Sequence, residues 1–245
     1  MRDLLKLAAL AATLLAPGMA QATVVYSNNF DGATVVAAGV TANLSGASVQ
    51  SVQGLTGLGA SGNQFGGDFL TSFNAGSVAT LTLSNLPSHT SLNLTGLLAA
   101  LDSWDSTNGS CCTPDLFVIR VDGNIIFSDT YAIALGTIHN TAGLTDIGGG
   151  NQQRGFNGGW LDAAFDLENE LQNIAHTASS MTITFSGEGG GWQGGTDEAW
   201  GIDNLVVSLN GVVIEQPTTP VPEPVTLSLL GAGLTGIGTL RRKRA

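Results

Sequence analysis

The 245-residue chain is short of positive charge, of cysteine and of aromatic side chains. Its 8 Lys and Arg residues stand against 19 Asp and Glu. Six of those bases sit at the extremities: Arg2, Lys6, Arg241, Arg242, Lys243 and Arg244. Between Thr23 and Leu240 only Arg120 and Arg154 remain against 18 acidic residues, a net charge of −16. Such a body repels a phosphate backbone, which argues against nucleic acid as a partner. The two cysteines are adjacent, Cys111-Cys112, so no staple can cross the fold within one chain. They can close a vicinal ring in an oxidising compartment, pair between chains or stay reduced. His89, His139 and His176 lie singly in sequence, and with one cysteine pair they do not spell a zinc site. The glycine-rich run "GGGNQQRGFNGG" lacks a G-x-G-x-x-G set between a strand and a helix, and no G-x-S-x-G or H-E-x-x-H is present, which removes the usual footholds for dinucleotide, serine-hydrolase and zincin chemistry.

What the chain does have is glycine, 34 residues of it, and only 11% charged residues. That composition suits many short strands joined by tight turns. "ATLTLSN" sets Ala79, Leu81 and Leu83 against Thr80, Thr82 and Ser84, and "MTITFSG" repeats the pattern with Met181, Ile183 and Phe185. Period-two alternation predicts half-buried strands. "DLFVIRVDGNIIFSDT" predicts a hairpin turning at Asp122-Gly123-Asn124. "TVVYSNNF" predicts the first strand of the mature chain, and "DNLVVSLNG" another with Leu205, Val207 and Leu209 inward. One short helix is expected from Leu167 to Ala175, where Leu167, Leu171 and Ile174 fall at i, i+4 and i+7. The fold class that follows is all-β: an antiparallel two-sheet sandwich, jelly-roll-like, with one short helix and a separate C-terminal hydrophobic helix.

The ends divide the chain. "MRDLLKLAALAATLLAPGMAQA" has a basic start, an apolar run and small residues Ala20 and Ala22 at the −3 and −1 positions. Residues 1–22 read as a signal peptide cut after Ala22. Residues 23–215 form the sandwich domain. Residues 216–224, "QPTTPVPEP", are a linker extended by its prolines. Residues 225–245 are a hydrophobic helix and a basic end.

Two acidic stretches that carry tryptophan are the candidate chemistry. "LDSWDSTNGSCCTPD" brings Asp102, Asp105 and Asp115, and "GGGWQGGTDEAWGIDN" brings Asp197, Glu198 and Asp203. Asp203 shares parity with Leu205, Val207 and Leu209, and is expected to point inward; Asp115 shares parity with Phe117, Ile119 and Val121. An inward carboxylate needs hydrogen bonds or a cation. Calcium takes oxygen ligands from irregular loops, so Asp102, Asp105, Asp197, Glu198 and Asp203 are the expected ligands of a structural Ca²⁺. The competing reading is that these side chains cap turns. Paired carboxylates beside tryptophans also admit glycosidase chemistry, or a sugar-binding module with Trp160 and Trp192 as exposed platforms.

The last 25 residues resemble the PEP-CTERM sorting signal of exported Gram-negative proteins. The resemblance rests on Val221, Pro222, Glu223 and Pro224, then apolar Val225 to Leu240, then Arg241-Arg242-Lys243-Arg244. It implies recognition by exosortase, a membrane-embedded transpeptidase-like enzyme, with processing near the Pro-Glu-Pro. It also implies a setting of exopolysaccharide and biofilm. The apolar run spans 16 residues, about 24 Å as a helix and short of the roughly 20 residues of a full span. That length suits a transient inner-membrane anchor with the basic end cytoplasmic. "DSWD", "PDLFVIRVDG" and "DEAWGIDNLVVS" look like the jelly-roll bodies of PEP-CTERM proteins. The last of these is also similar to the terminal strands of calcium-containing jelly rolls, including galactose-binding-like and reelin-type repeats. The functional expectation is an exported structural or adhesive protein of the cell surface or polysaccharide matrix. The alternatives are a carbohydrate-binding module and a glycoside-active enzyme.

Overall fold

The computed structural model describes residues 22–71, 77–106, 113–131, 142–167 and 169–212. The expected signal peptide with Ala20, together with Cys111, Cys112, His139, the expected linker with Val221, Pro222, Glu223 and Pro224, and the expected C-terminal helix, lies outside the described residues.

Sixteen strands follow in chain order: β1 Thr23–Asn28, β2 Val35–Val36, β3 Thr41–Ser45, β4 Ser48–Gln50, β5 Gly59–Ala60, β6 Asn63–Gln64, β7 Phe69–Thr71 and β8 Val78–Ser84. Then come β9 Ser91–Asp102, β10 Asp115–Val121, β11 Asn124–Asp129, β12 Thr145–Asp146, β13 Ala163–Asp166, β14 Ile174–Ala175, β15 Ser180–Gly189 and β16 Glu198–Asn210. One 3-10 turn, Gln53–Leu55, is the helical element among the described residues.

A five-stranded sheet runs β11-β10-β15-β8-β3 and a nine-stranded sheet is built on β12-β13-β9-β16-β1-β2, with β14, β7 and β4 on its edges. All pairings within them are antiparallel. Successive strands β7 to β10, and again β14 to β16, cross from one sheet to the other, as expected of a jelly-roll-like sandwich. Ala79, Leu81 and Leu83 of β8 and Met181, Ile183 and Phe185 of β15 are buried, so the alternation read from sequence is the inward face of the smaller sheet. They meet Leu92, Leu94, Leu98, Trp200, Ile202, Leu205, Val207 and Leu209 of the larger sheet in one core. The β10–β11 hairpin turns at Asp122 (φ 49°) and Gly123 (φ 80°), with Val121 opposite Asn124. Two successive positive φ values are what a two-residue hairpin turn of matching twist demands.

The expected helix at Leu167–Ala175 does not form. Leu167 and Leu171 are buried as their spacing implied, but their backbones bond to the sheet instead. Leu167 N–H donates to Gly96 O (3.0 Å), and Leu171 O accepts from Leu94 N–H (2.9 Å). Asn173 adopts φ 56°, and Ile174–Ala175 pair with Leu92 and Ser91. The free edge of β9 competes for the same N–H and C=O groups that a helix would use, and an i, i+4, i+7 pattern does not distinguish the two outcomes.

The larger sheet carries a second apolar cluster on its outer face. Val52, Leu55, Phe65 and Phe69 lie against Leu97, Ala99, Leu101, Ala164 and Ala199. Half of the β9–β16 ladder is thereby buried on both faces. Gly201 makes the cover possible: a Cβ there would stand 2.6 Å from the Phe69 ring.

Candidate functional site

The two acidic stretches meet at one end of the sandwich. Asp102 ends β9 and Glu198 begins β16, and the two are register partners across the ladder. The loops flanking them are tied together. Ser103 Oγ donates to Asp197 Oδ1 (2.9 Å) and to Asp197 O (3.0 Å), while Ser103 N–H donates to the same carbonyl. Asp105 N–H donates to Asp115 Oδ2 (2.6 Å), and Asp115 N–H donates back to Asp105 O (2.8 Å). Glu198 Oε2 accepts from Gln193 N–H (2.7 Å) and Gly194 N–H (3.0 Å).

These bonds leave part of the charge uncompensated. Both carboxyl oxygens of Asp102 and Oδ1 of Asp115 are buried and have no hydrogen bond of ordinary geometry. The Asn157 side chain and the Trp160 backbone act on Asp102 as donors that oppose the effect of burial. Burial pushes the Asp115 carboxyl up to about 7, with the negative neighbours Glu198, Asp105 and Asp197 adding to it. Burial likewise raises Asp102, aided by Asp162 and Asp197, and raises Glu198, aided by Asp197 and Asp105. Asp102 also holds φ 68°, a left-handed conformation that Asp tolerates better than most residues.

Asp162 belongs to this group, and sequence reasoning missed it. It precedes β13, accepts from Asp102 N–H (3.1 Å) and Arg154 N–H (2.9 Å), and is itself raised by burial. Its only sequence signal was a carboxylate before a strand, which many loops share. The two bases of the body are both engaged. Arg154 is buried and donates to Gly148 O and Gly54 O, and Arg120 pairs with Glu188.

Asp203 lies apart, and the inward orientation expected for it is corrected by the structure. The β9–β16 register shifts by one residue between Asp203 and Val206, with Asn204 at φ 49°. This bulge inverts parity: Trp200 and Ile202 before it and Leu205 after it all reach the inter-sheet core. Asp203 therefore faces the covered outer side, where its Oδ2 accepts from Gly66 N–H (2.8 Å). Burial raises it to about 6, with Asp31 and Asp68 as further causes. Asp102, Asp105, Asp197 and Glu198 come together, and Asp203 does not join them.

The tryptophans divide similarly. Trp104 and Trp200 are fully buried. Trp192 is half-buried against Trp104 (5.1 Å between centroids, 61°) and lies over Gly187, where a Cβ would stand 2.1 Å from its ring. Trp160 alone is exposed, at 45%. His89 and His176, 87 residues apart, meet beneath the opposite hairpin with His89 Nε2 2.7 Å from His176 Nδ1. His176 Nε2 lies 3.1 Å from Asp122 Oδ2. Sequence order held no sign of that contact.

Among the described residues, no three His, Cys, Asp or Glu side chains are arranged to hold one ion. Calcium also draws on carbonyls and waters, and the unpartnered oxygens of Asp102 and Asp115 are of the right chemistry for it. Two open clefts, of about 540 and 450 Å³, occur elsewhere, and none of these carboxylates lines either.

No protein-family profile matches the chain, and no curated protein matches it in sequence. Among solved structures, the chain is similar to the Agl-KA catalytic domain at 14% identity and a TM-score of 0.32, over 87% of this chain and 32% of that one. It is similar to the enzymatically active domain of bacteriophage CBA120 tailspike protein 4 at 16% identity and 0.26, over 70% and 19%. It is similar to infectious bursal disease virus Gt strain at 18% and 0.24, over 82% and 37%. The chain spans little more than a third, or less, of each, and likenesses of this grade carry no functional argument.

Proposed function

We propose that the chain is an exported structural or adhesive protein of the cell surface and extracellular polysaccharide matrix. Exosortase delivers it after recognising its C-terminal signal, and a structural calcium ion tightens the acidic end of its sandwich. The observation that carries delivery is the order of the tail: Val221-Pro222-Glu223-Pro224, then an apolar run, then four basic residues. Before processing, the apolar helix holds the protein at the inner membrane. The calcium proposal is supported by the buried, unpartnered oxygens of Asp102 and Asp115. Asp102 and Asp115 would offer these oxygens to the ion, and backbone carbonyls and water would complete its shell.

Mass spectrometry of the protein recovered outside the inner membrane tests delivery. The expected product begins at Thr23 and ends near the Pro-Glu-Pro. A product that retains Ala245 contradicts processing, and unchanged export in cells lacking exosortase contradicts the partner.

A second reading, a carbohydrate-binding module, is favoured by one feature, an uncharged amide-lined cleft on the open part of the larger sheet. The glycosidase alternative finds less support. Its candidate acids Asp115 and Glu198 are fully buried and line neither cleft, whereas a general acid must reach the leaving oxygen.

A further inference from the structure

The cleft of about 540 Å³ lies where the outer cover of the larger sheet ends. Ser27 of β1, Val206 of β16 and Thr95 of β9 are direct cross-strand partners, so they form one row across three strands. Asn63 and Asn204 stand at the covered end of that row, and Asn29 and exposed Val35 at its rim. None of the described lining residues is charged. In a body with a net charge of −16 that neutrality is selective.

The amides are oriented by their own bonding. Asn204 Nδ2 donates to Gln64 O (2.8 Å), and a backbone carbonyl can only accept, so the Asn204 NH₂ group is assigned to that side. The same NH₂ donates to Asn63 Oδ1 at 3.1 Å. Asn63 Nδ2 and Asn204 Oδ1 are then left as a neighbouring donor and acceptor, with no further partner among the described residues. The Ser27 and Thr95 hydroxyls and the Asn29 amide are likewise unengaged there. Fixed donors beside acceptors match vicinal hydroxyls, each of which both gives and takes a hydrogen bond. Val35, 61% exposed, and Val206 offer apolar contact to the C–H face of a ring.

We infer that this cleft binds a segment of a neutral, hydroxyl-rich polysaccharide, laid across β1, β16 and β9. The inference rests on the carbohydrate-binding reading and assigns it a place.

Isothermal titration of the exported protein with cellohexaose, maltohexaose and mannohexaose, and with an alginate hexamer as the anionic counterpart, tests it. At least one neutral hexasaccharide is expected to bind. The Ser27→Ala/Thr95→Val double variant removes two hydroxyls with little change of shape, and is expected to weaken binding tenfold or more with its melting temperature unchanged. Ser128→Ala, on the exposed face of the five-stranded sheet, should bind as the parent does. Undiminished binding by the double variant overturns the site while leaving the carbohydrate-binding reading intact. Preference for the alginate hexamer overturns the neutral class. Failure of all three neutral probes also overturns the inference, and a parallel pull-down of the producer's own matrix polysaccharide separates the causes. Retention there leaves the wider reading standing, and no retention removes both.

Discussion

The β9–β16 ladder has two halves that differ in what covers them. In the half formed by Leu97–Asp102 and Glu198–Asp203, every described residue is buried, because Phe65, Phe69 and Leu55 roof the outer face. In the half formed by Ser91–Thr95 and Val206–Asn210, burial alternates and the outer side chains are Ser, Thr, Asn and Val. The covered half runs into the crowded carboxylates, and the open half carries the neutral amide cleft. The bulge at Asn204 marks the change. One pair of strands thus supplies a buried, carboxylate-rich end and an accessible, uncharged face. Desolvation raises acid groups in the first, whereas the outer side chains of the second stay open to solvent.

The largest effect that would break this contrast is loss of the roof. Leu97→Ala is expected to cost about 2–5 kcal/mol, since Leu97 is fully buried against the cover. Denaturant unfolding would measure it. The next largest is the response to pH. Burial holds Asp115 near 7 and Asp203 near 6, both above the ordinary aspartate value of about 3.9. The folded protein then keeps protons that the unfolded chain releases. Without a cation, stability should fall as pH rises from about 4 to 7, by on the order of 1 kcal/mol per pH unit for each group titrating. Melting scans in calcium-free buffer at several pH values check this, and a rise with pH over that window would contradict it. Asn204→Ala removes the two hydrogen bonds its side-chain amide donates and places alanine at φ 49°, with an expected loss of roughly 1–2 kcal/mol. Smallest is Ser208→Ala on the open half, expected within about 0.5 kcal/mol of the parent in the same unfolding assay.

The same two halves explain what the sequence made legible. Alternation in "ATLTLSN", "MTITFSG" and "LVVSLN" was readable because each strand has one wet face and one dry face, so polarity records orientation directly. The hairpin at Asp122-Gly123 was readable because its backbone demands particular residues. "GLLAALD" and "EAWGID" carry no alternation, since both faces are buried there, and their contiguous apolar character is the trace of the roof. Parity failed at Asp203 because a single extra residue at Asn204 reverses every side chain beyond it, and Asn is common in ordinary turns too. The convergence of the two acidic stretches was only an expectation, because Asp102 and Glu198 are 96 residues apart and become neighbours through strand register alone. The partnership of Asp162 with Asp102 arises in the same way, from the pairing of β13 with β9.

The central claim is that the acidic end of the covered half is completed by a cation. Thermal melting at pH 7.5, with saturating calcium and with chelator, tests it for the parent protein and for Asp102→Asn. Calcium at about 100 times its dissociation constant contributes about 2.7 kcal/mol. For a domain of this size that is a rise of roughly 5–10 °C. The account predicts that rise for the parent and its loss in Asp102→Asn. Identical melting of the parent in calcium and in chelator would contradict it.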